Sequence, residues 1–213
     1  GHFNWKFTSD GGIVCTPAYF ANSVFFGSED QRVYSVSATT GRVQWSYFTE
    51  GPIRSTPAVQ DRHVFIGSDD EYIHIINAST GRRATKIPAG SPVRSKPLIA
   101  NDGIYFGTEN GDLFFADFNG KIRWRANAKR VITSSPGINK TGIYFGSVDG
   151  MFYAIDPQTG WPMWRFRMER GTISSPWVSE QFAYIGSADS NIYCINLQTT
   201  KEAWHFTTGH QVS

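Results

Sequence analysis

Long apolar runs are missing from this 213-residue chain. No stretch approaches the roughly 18 residues that a membrane-spanning helix needs, so no direct span is expected. An excess of one charge is missing too. The formal charge is +2 at neutral pH, which leaves no electrostatic footprint for nucleic acid and names no partner by itself. Cysteine is scarce, with only Cys15 and Cys194, so a disulfide scaffold is excluded and the redox compartment is left open. The sequence opens without a signal-peptide pattern. No Gly-x-Ser-x-Gly elbow, phosphate loop or Cys-x-x-Cys occurs. The histidines at 2, 63, 74, 205 and 210 show no ligand spacing, so neither a metal site nor a catalytic residue is expected. No segment carries an i, i+3, i+4, i+7 pattern long enough for a stable helix.

What the chain does have is a period. Pro17, Pro57, Pro97, Pro136 and Pro176 are spaced by 40, 40, 39 and 40 residues. Each is followed, ten residues later, by Gly and Ser or Thr: Gly27-Ser28, Gly67-Ser68, Gly107-Thr108, Gly146-Ser147 and Gly186-Ser187. Further on come Trp45, Trp124, Trp164 and Trp204, with Thr85 standing in the second copy, and Trp5 closes an earlier one. A fixed period of this size marks a repeat architecture, in which no unit can bury its apolar faces alone.

Within each copy the apolar runs are strand-like. Val24-Phe25-Phe26, Val64-Phe65-Ile66, Ile104-Tyr105-Phe106, Ile143-Tyr144-Phe145 and Ala183-Tyr184-Ile185 are β-branched and aromatic, and each precedes a polar turn and a second run. Four strands are expected per copy. An inner strand surrounds the proline, two strands form the hairpin, and a short outer strand carries Trp-x-Phe, as in Trp164-Arg165-Phe166. Four strands in about 40 residues is the size of a propeller blade, and a flat solenoid is the weaker alternative. The reading is a single all-β domain over 1–213, with repeats at 11–49, 50–89, 90–128, 129–168 and 169–208 and an outer strand in 1–10.

The segment Ala154-Ile155-Asp156-Pro157-Gln158-Thr159-Gly160-Trp161-Pro162-Met163-Trp164 resembles the tryptophan-docking motif of quinoprotein-type (PQQ-like) β-propellers. Other copies match in part. Thr40-Gly41 and Trp45 are kept, Thr80-Gly81 leads to Thr85, the third copy is one residue short, and the fifth has Thr199-Thr200. The resemblance implies that Trp5, Trp45, Trp124, Trp164 and Trp204 are structural wedges between blades. It also favours a periplasmic or extracellular setting.

Blade number is less defined. A closed five-blade ring would leave one outer strand surplus, whereas family members more often have seven or eight blades, so an arc of a larger propeller is the other reading. An arc exposes apolar faces that a soluble monomer avoids, and a homodimer could cover them. The closed ring is preferred on that ground. Cys15 and Cys194 fall at different radii of such a fold, so no disulfide is expected between them. Thr85 leaves the seam between the second and third blades without its wedge, and that seam is expected to be the weakest.

Charge separates by face. The turns between second and third strands carry Glu29, Asp30, Asp69, Asp70, Glu71, Glu109, Asp112, Asp149 and Asp189, half of the 18 carboxylates. Arg42, Arg82, Arg83, Lys121 and Lys201 lie on the opposite face. Turn preferences and solubility account for much of this. The links into the inner strands carry Arg54, Arg94, Lys96, Arg130 and Arg170, which suggests an anion or acidic-peptide site at the channel mouth. The alternative is ion-paired arginine, with Glu50 or Glu169 as partner. His74 replaces a strand tyrosine and is read as a packed surrogate, and Trp177 as a channel filler.

A non-catalytic binding or scaffold propeller is the leading functional reading, holding a protein or peptide partner without a cofactor. Assembly lipoproteins and kinase-linked sensor propellers of the resembled family work in this way. Quinoprotein dehydrogenase is the rival, but the adjacent cysteines that the large enzymes carry are missing here. A luminal or extracellular sensor that dimerises through an open edge is the third.

Overall fold

The computed structural model describes residues 4–212, which leaves 1–3, His2 among them, and 213 outside. Twenty strands form five four-stranded antiparallel sheets, each a simple meander from inner to outer strand. The first is β1 (Ala18–Phe20), β2 (Ser23–Ser28), β3 (Arg32–Ser37) and β4 (Val43–Phe48). The second is β5 (Ala58–Gln60), β6 (His63–Gly67), β7 (Tyr72–Asn77) and β8 (Arg83–Pro88). The third is β9 (Leu98–Ile99), β10 (Ile104–Gly107), β11 (Asp112–Ala116) and β12 (Ile122–Asn127). The fourth is β13 (Gly137–Ile138), β14 (Ile143–Gly146), β15 (Met151–Ile155) and β16 (Pro162–Arg167). The fifth is β17 (Trp177–Val178), β18 (Phe182–Gly186), β19 (Asn191–Asn196) and β20 (Lys201–Thr207). The fold is a five-blade β-propeller.

Strand lengths depart from expectation for a simple reason. The inner strands do not surround the prolines but begin just after them, because proline has no N–H to give to a ladder. They are only two or three residues long, while the outer strands, expected to be short, run six or seven. Residues 5–9 lie without a ladder, since no strand among the described residues lies beside them to pair with.

The middle strands are buried on both faces because blades stack on either side. Clusters fill four seams. Ile53 and Phe25 meet Ile66 and Val64 between blades one and two. Phe65 and Ile87 meet Ile104 and Phe106 at the next seam. Tyr105 and Ile132 meet Phe145 and Ile155 at the third. Tyr144 and Phe152 meet Ile185 and Tyr193 at the fourth. A fifth cluster covers the outer face of blade one, where Trp5 and Phe7 pack on Phe26 and Tyr34.

Among the described residues no hydrophobic cluster joins blade five to blade one. The reason lies in how one blade hands over to the next. Ile53, Val93, Ile132 and Thr172 each seat on the glycine at or next to the end of the previous blade's second strand, where a Cβ would collide with them. All four are buried, at 0 to 2% exposure. On Gly186 the seat is taken by Val212. Ile13, the equivalent residue ahead of blade one, meets no glycine among the described residues in this way and is 43% exposed. Among the described residues the five blades therefore form an open arc rather than the preferred closed ring.

Candidate functional site

The tryptophans sit at one register. Ser35, Phe115, Ala154 and Cys194 pair with Trp45, Trp124, Trp164 and Trp204, each next to a bulge. Trp5, Trp45 and Trp124 reach the following blade and donate their indole N–H to Ala38, Ala78 and Pro157 carbonyls at 2.8, 2.9 and 3.0 Å. Under each ring lies a glycine with positive φ, Gly41, Gly81 and Gly160, where a Cβ would come within 2.8 Å of the indole. Glycine is needed there twice over, for conformation and for space. In blade five the position is Thr200, which keeps the left-handed φ of 59°. Its real Cβ occupies the space that the other indoles use, and Trp164 makes no such hydrogen bond among the described residues. Trp164 packs instead against Tyr144, at 6.0 Å, and Phe152.

At the seam lacking a wedge, Thr85 holds the tryptophan register opposite Ile75. Phe118 of the next blade places its ring 6.1 Å from Phe65, close to the 5.7 Å that separates Trp45 from Phe25. A ring thus enters the seam from the opposite side. This seam holds Phe65, Ile87, Ile104, Phe106 and Phe114 and is no thinner than the others. The expected weakness is filled by Phe118.

On the link face, Arg54 and Arg94 are ion-paired, with partners other than Glu50 and Glu169. Arg54 donates to Glu29 at 2.9 Å and also to Asp69. Arg94 donates to Asp69 at 2.9 Å and reaches Glu109 at 3.4 Å. The result is a ladder, Glu29–Arg54–Asp69–Arg94–Glu109, across three blades. The Asp69 hydrogen bond holds the Arg94 guanidinium pKa above its ordinary value. The next link offers Thr133 where an arginine would stand, and among the described residues Glu109 Oε1 and Thr133 Oγ1 are buried without partners. Thr133→Arg is therefore expected to extend the ladder and raise stability by about 0.5 kcal/mol, the size of a half-exposed pair. Urea titrations at low and high salt would read it, with the gain shrinking at high salt.

The acidic turns are largely committed to structure. Asp30, Asp149 and Asp189 accept from backbone N–H groups two residues on and from the hydroxyls of Tyr34, Tyr153 and Tyr193 four residues on. In blade two His74 takes the tyrosine's place, buried between Asp70 at 2.9 Å and the Tyr47 hydroxyl at 3.0 Å. Burial alone would raise the Asp70 carboxyl, but the His74 hydrogen bond and charge outweigh it and hold it below the usual range.

Burial, then the hydrogen bond to a neighbouring carboxylate, pushes Tyr34 and Tyr153 up to about 12. Burial and the charges of Asp102 and Asp156 push Tyr105 up to about 12 as well. A phenol whose folded pKa lies above its unfolded value of about 10 favours the folded state while neutral. That contribution is complete below pH 10 and is lost as pH climbs from about 10 through 12. Absorbance at 295 nm, followed with β-sheet circular dichroism, should show these tyrosines ionising near pH 12 as the sheet signal is lost. Ionisation of all nine tyrosines near pH 10 in a folded protein would contradict it.

The bases proposed for the channel mouth are not brought together. Arg54 and Arg94 belong to the ladder, and Arg130 and Arg170 are exposed on later links. Only Lys96 lines the central cavity, which measures 490 Å³ and is walled by Thr16, Thr56, Ser135, Ser175 and repeat prolines from the blade roots. The signal for this wall is the residue directly before each proline: a hydroxyl in four copies and Lys96 in the third. Trp177 does not fill the channel. As the first residue of β17 it pairs with Tyr184, sets its ring at a tilt 5.7 Å from that tyrosine's, and is 65% exposed.

Trp177 belongs to the open face of blade five. Tyr184 and Trp204 lie 5.9 Å apart, the same pairing that Tyr144 and Trp164 make at a filled seam. Trp204 is 48% exposed and Phe206 61%, since no blade among the described residues covers them. Elsewhere the residue in the Phe206 position covers the next blade: Phe166 packs on Tyr193 and Phe7 on Tyr34.

Cys15 and Cys194 are unpaired thiols. Cys15 Sγ spans the Gly27 N–H and carbonyl at 3.4 and 3.5 Å, the role that Ser95 and Ser134 play in their blades, and burial pushes its pKa up. Among the described residues no three His, Cys, Asp or Glu side chains gather as a metal site, and no helix is long and apolar enough to cross a membrane.

Comparison with known proteins places these features in context. The family model described as "Outer membrane protein assembly factor BamB" matches residues 1–59, 29–119 and 114–212. Among solved structures, BamB from Moraxella catarrhalis superposes with a TM-score of 0.87 at 20% identity. The match covers 99% of this chain and 66% of that one, so the chain spans just under two thirds of its length. At that identity the likeness is one of fold, and 1430 solved chains share it, so fold alone selects no function. No curated protein matches the sequence.

Proposed function

Because the chain belongs to the BamB family of PQQ-like propellers, we propose that it is a non-catalytic scaffold in outer membrane protein assembly and holds a protein partner. The observation that carries this reading is the open face of blade five. Trp177, Tyr184, Trp204 and Phe206 present the geometry that the filled seams use, and among the described residues no second sheet lies over them. The occupant it fits is a β-sheet of the same kind, bringing a backbone carbonyl to the Trp204 indole N–H and a glycine beneath its ring. Large exposed apolar faces on soluble proteins mark interaction sites, and aromatic anchors carry most of the energy at such interfaces.

The test is co-purification from the native host, comparing the natural protein with Trp204→Asp. The natural protein should bring down components of the outer membrane assembly machinery, and the variant, equally stable, should lose them. No such component with the natural protein, or the same set with the variant, would overturn the proposal. A second reading, self-association through this open face, is favoured by the same exposure. Sedimentation velocity of the isolated protein separates it: a concentration-dependent dimer abolished by Trp204→Asp would make a second copy the occupant.

A further inference from the structure

We propose that the central cavity binds a carboxylate carried on a small apolar body, with Lys96 as counter-charge and the hydroxyls at the blade roots as donors. The wall is built by the repeat. Thr16 N–H donates to Thr56 Oγ1 at 3.2 Å, Lys96 N–H to Ser135 Oγ at 3.2 Å, and Ser135 N–H to Ser175 Oγ at 2.9 Å. Each hydroxyl thus has a lone pair engaged by the neighbouring blade's backbone. A hydroxyl also carries one proton to donate, and among the described residues none of these three donates it to a protein acceptor. The backbone contact fixes each oxygen in place and leaves its O–H for a ligand.

The charge around the cavity has one sign. Lys96 lies within ion-pair reach of no carboxylate among the described residues, and no Asp or Glu lines the cavity. This contrasts with Arg54 and Arg94, whose charge is spent on the ladder. One ammonium and several hydroxyl donors suit a monoanion. The remaining wall, Ala18, Leu98 and repeat prolines, is apolar. At 490 Å³ the space falls within the range of small-ligand sites, roughly 300–1,000 Å³. Two sources carry this chemistry, a free carboxylic acid and the acidic side chain of an extended peptide. The site lies on the propeller axis, away from the blade-five face, so it stands or falls separately from that surface.

Calorimetric titration tests it with three probes: 3-phenylpropionate, its uncharged amide, and a capped peptide bearing one glutamate. The natural protein should bind at least one of the two carboxylates and not the amide. Lys96→Gln should weaken binding roughly tenfold or more, the worth of a hydrogen bond to a charged group, while Lys96→Arg restores most of it. Arg130→Gln, remote from the cavity, should change nothing. Binding of phenylpropionate identifies a free acid as sufficient, and binding of the peptide alone identifies a peptide side chain. No carboxylate binding up to about 10 mM, equal binding of the amide, or unchanged affinity in Lys96→Gln would overturn the assignment.

Discussion

Trp124→Ala should cost about 3 kcal/mol of stability, whereas Trp204→Ala should cost less than about 0.5 kcal/mol. The two residues hold the same register on their outer strands, so their difference isolates the seam. Trp124 packs against Tyr105 and Phe115, donates to the Pro157 carbonyl, and lies over Gly160. Removing it opens a cavity in a cluster that joins two blades and leaves the Pro157 carbonyl with only the longer hydrogen bond from the Tyr105 hydroxyl, at 3.4 Å. Trp204 has the intrablade half of this arrangement, its contact with Tyr184, but no second blade. Urea denaturation of both variants, with the slope checked for two-state behaviour, reads the contrast directly. Equal losses at the two sites would mean that blade five has a neighbour.

Thr85→Trp, the substitution that would complete the docking pattern, should lower stability by about 1–3 kcal/mol, because Phe118 already occupies the seam beside Phe65. Phe118→Ala alone should also destabilise, by leaving Phe65 and its surroundings underpacked. The pair together should recover stability beyond the sum of the single changes, since an indole would then have the room that Trp45 has beside Phe25. A favourable coupling of about 1 kcal/mol or more in the double-mutant cycle is the expected result. Additivity would mean that Phe118 and the missing wedge do not share a space.

The repeat and the fold were legible because packing recurs. Each copy must present the same runs and the same glycine at the same interval, so the period shows in the prolines and in Phe-Gly-Ser or its equivalents. Closure was not legible. It depends on whether Ile13 or Val212 seats on Gly186, and both are apolar residues at repeat-equivalent positions. The ladder was half legible. Arg54 and Arg94 are conspicuous in the sequence, but Glu50, nearby in sequence, and Glu169 are not their partners. Glu29, Asp69 and Glu109 lie 40 residues apart and interleave with the arginines, so the repeat period itself pointed to them. The role of Phe118 is not legible in the sequence because its copy is one residue short in that turn and the ring acts on the previous blade. The channel hydroxyls were hidden in plain repetition, since a Ser or Thr before a proline reads first as a turn preference.

Hydroxyl-radical footprinting of the tryptophans under native conditions tests the open arc and its unpartnered face most directly. Trp204 and Trp177 should oxidise rapidly while Trp45 and Trp124 are protected, at every protein concentration at which the chain is monomeric. Protection of Trp204 equal to that of Trp124 in the monomer would contradict the open arc.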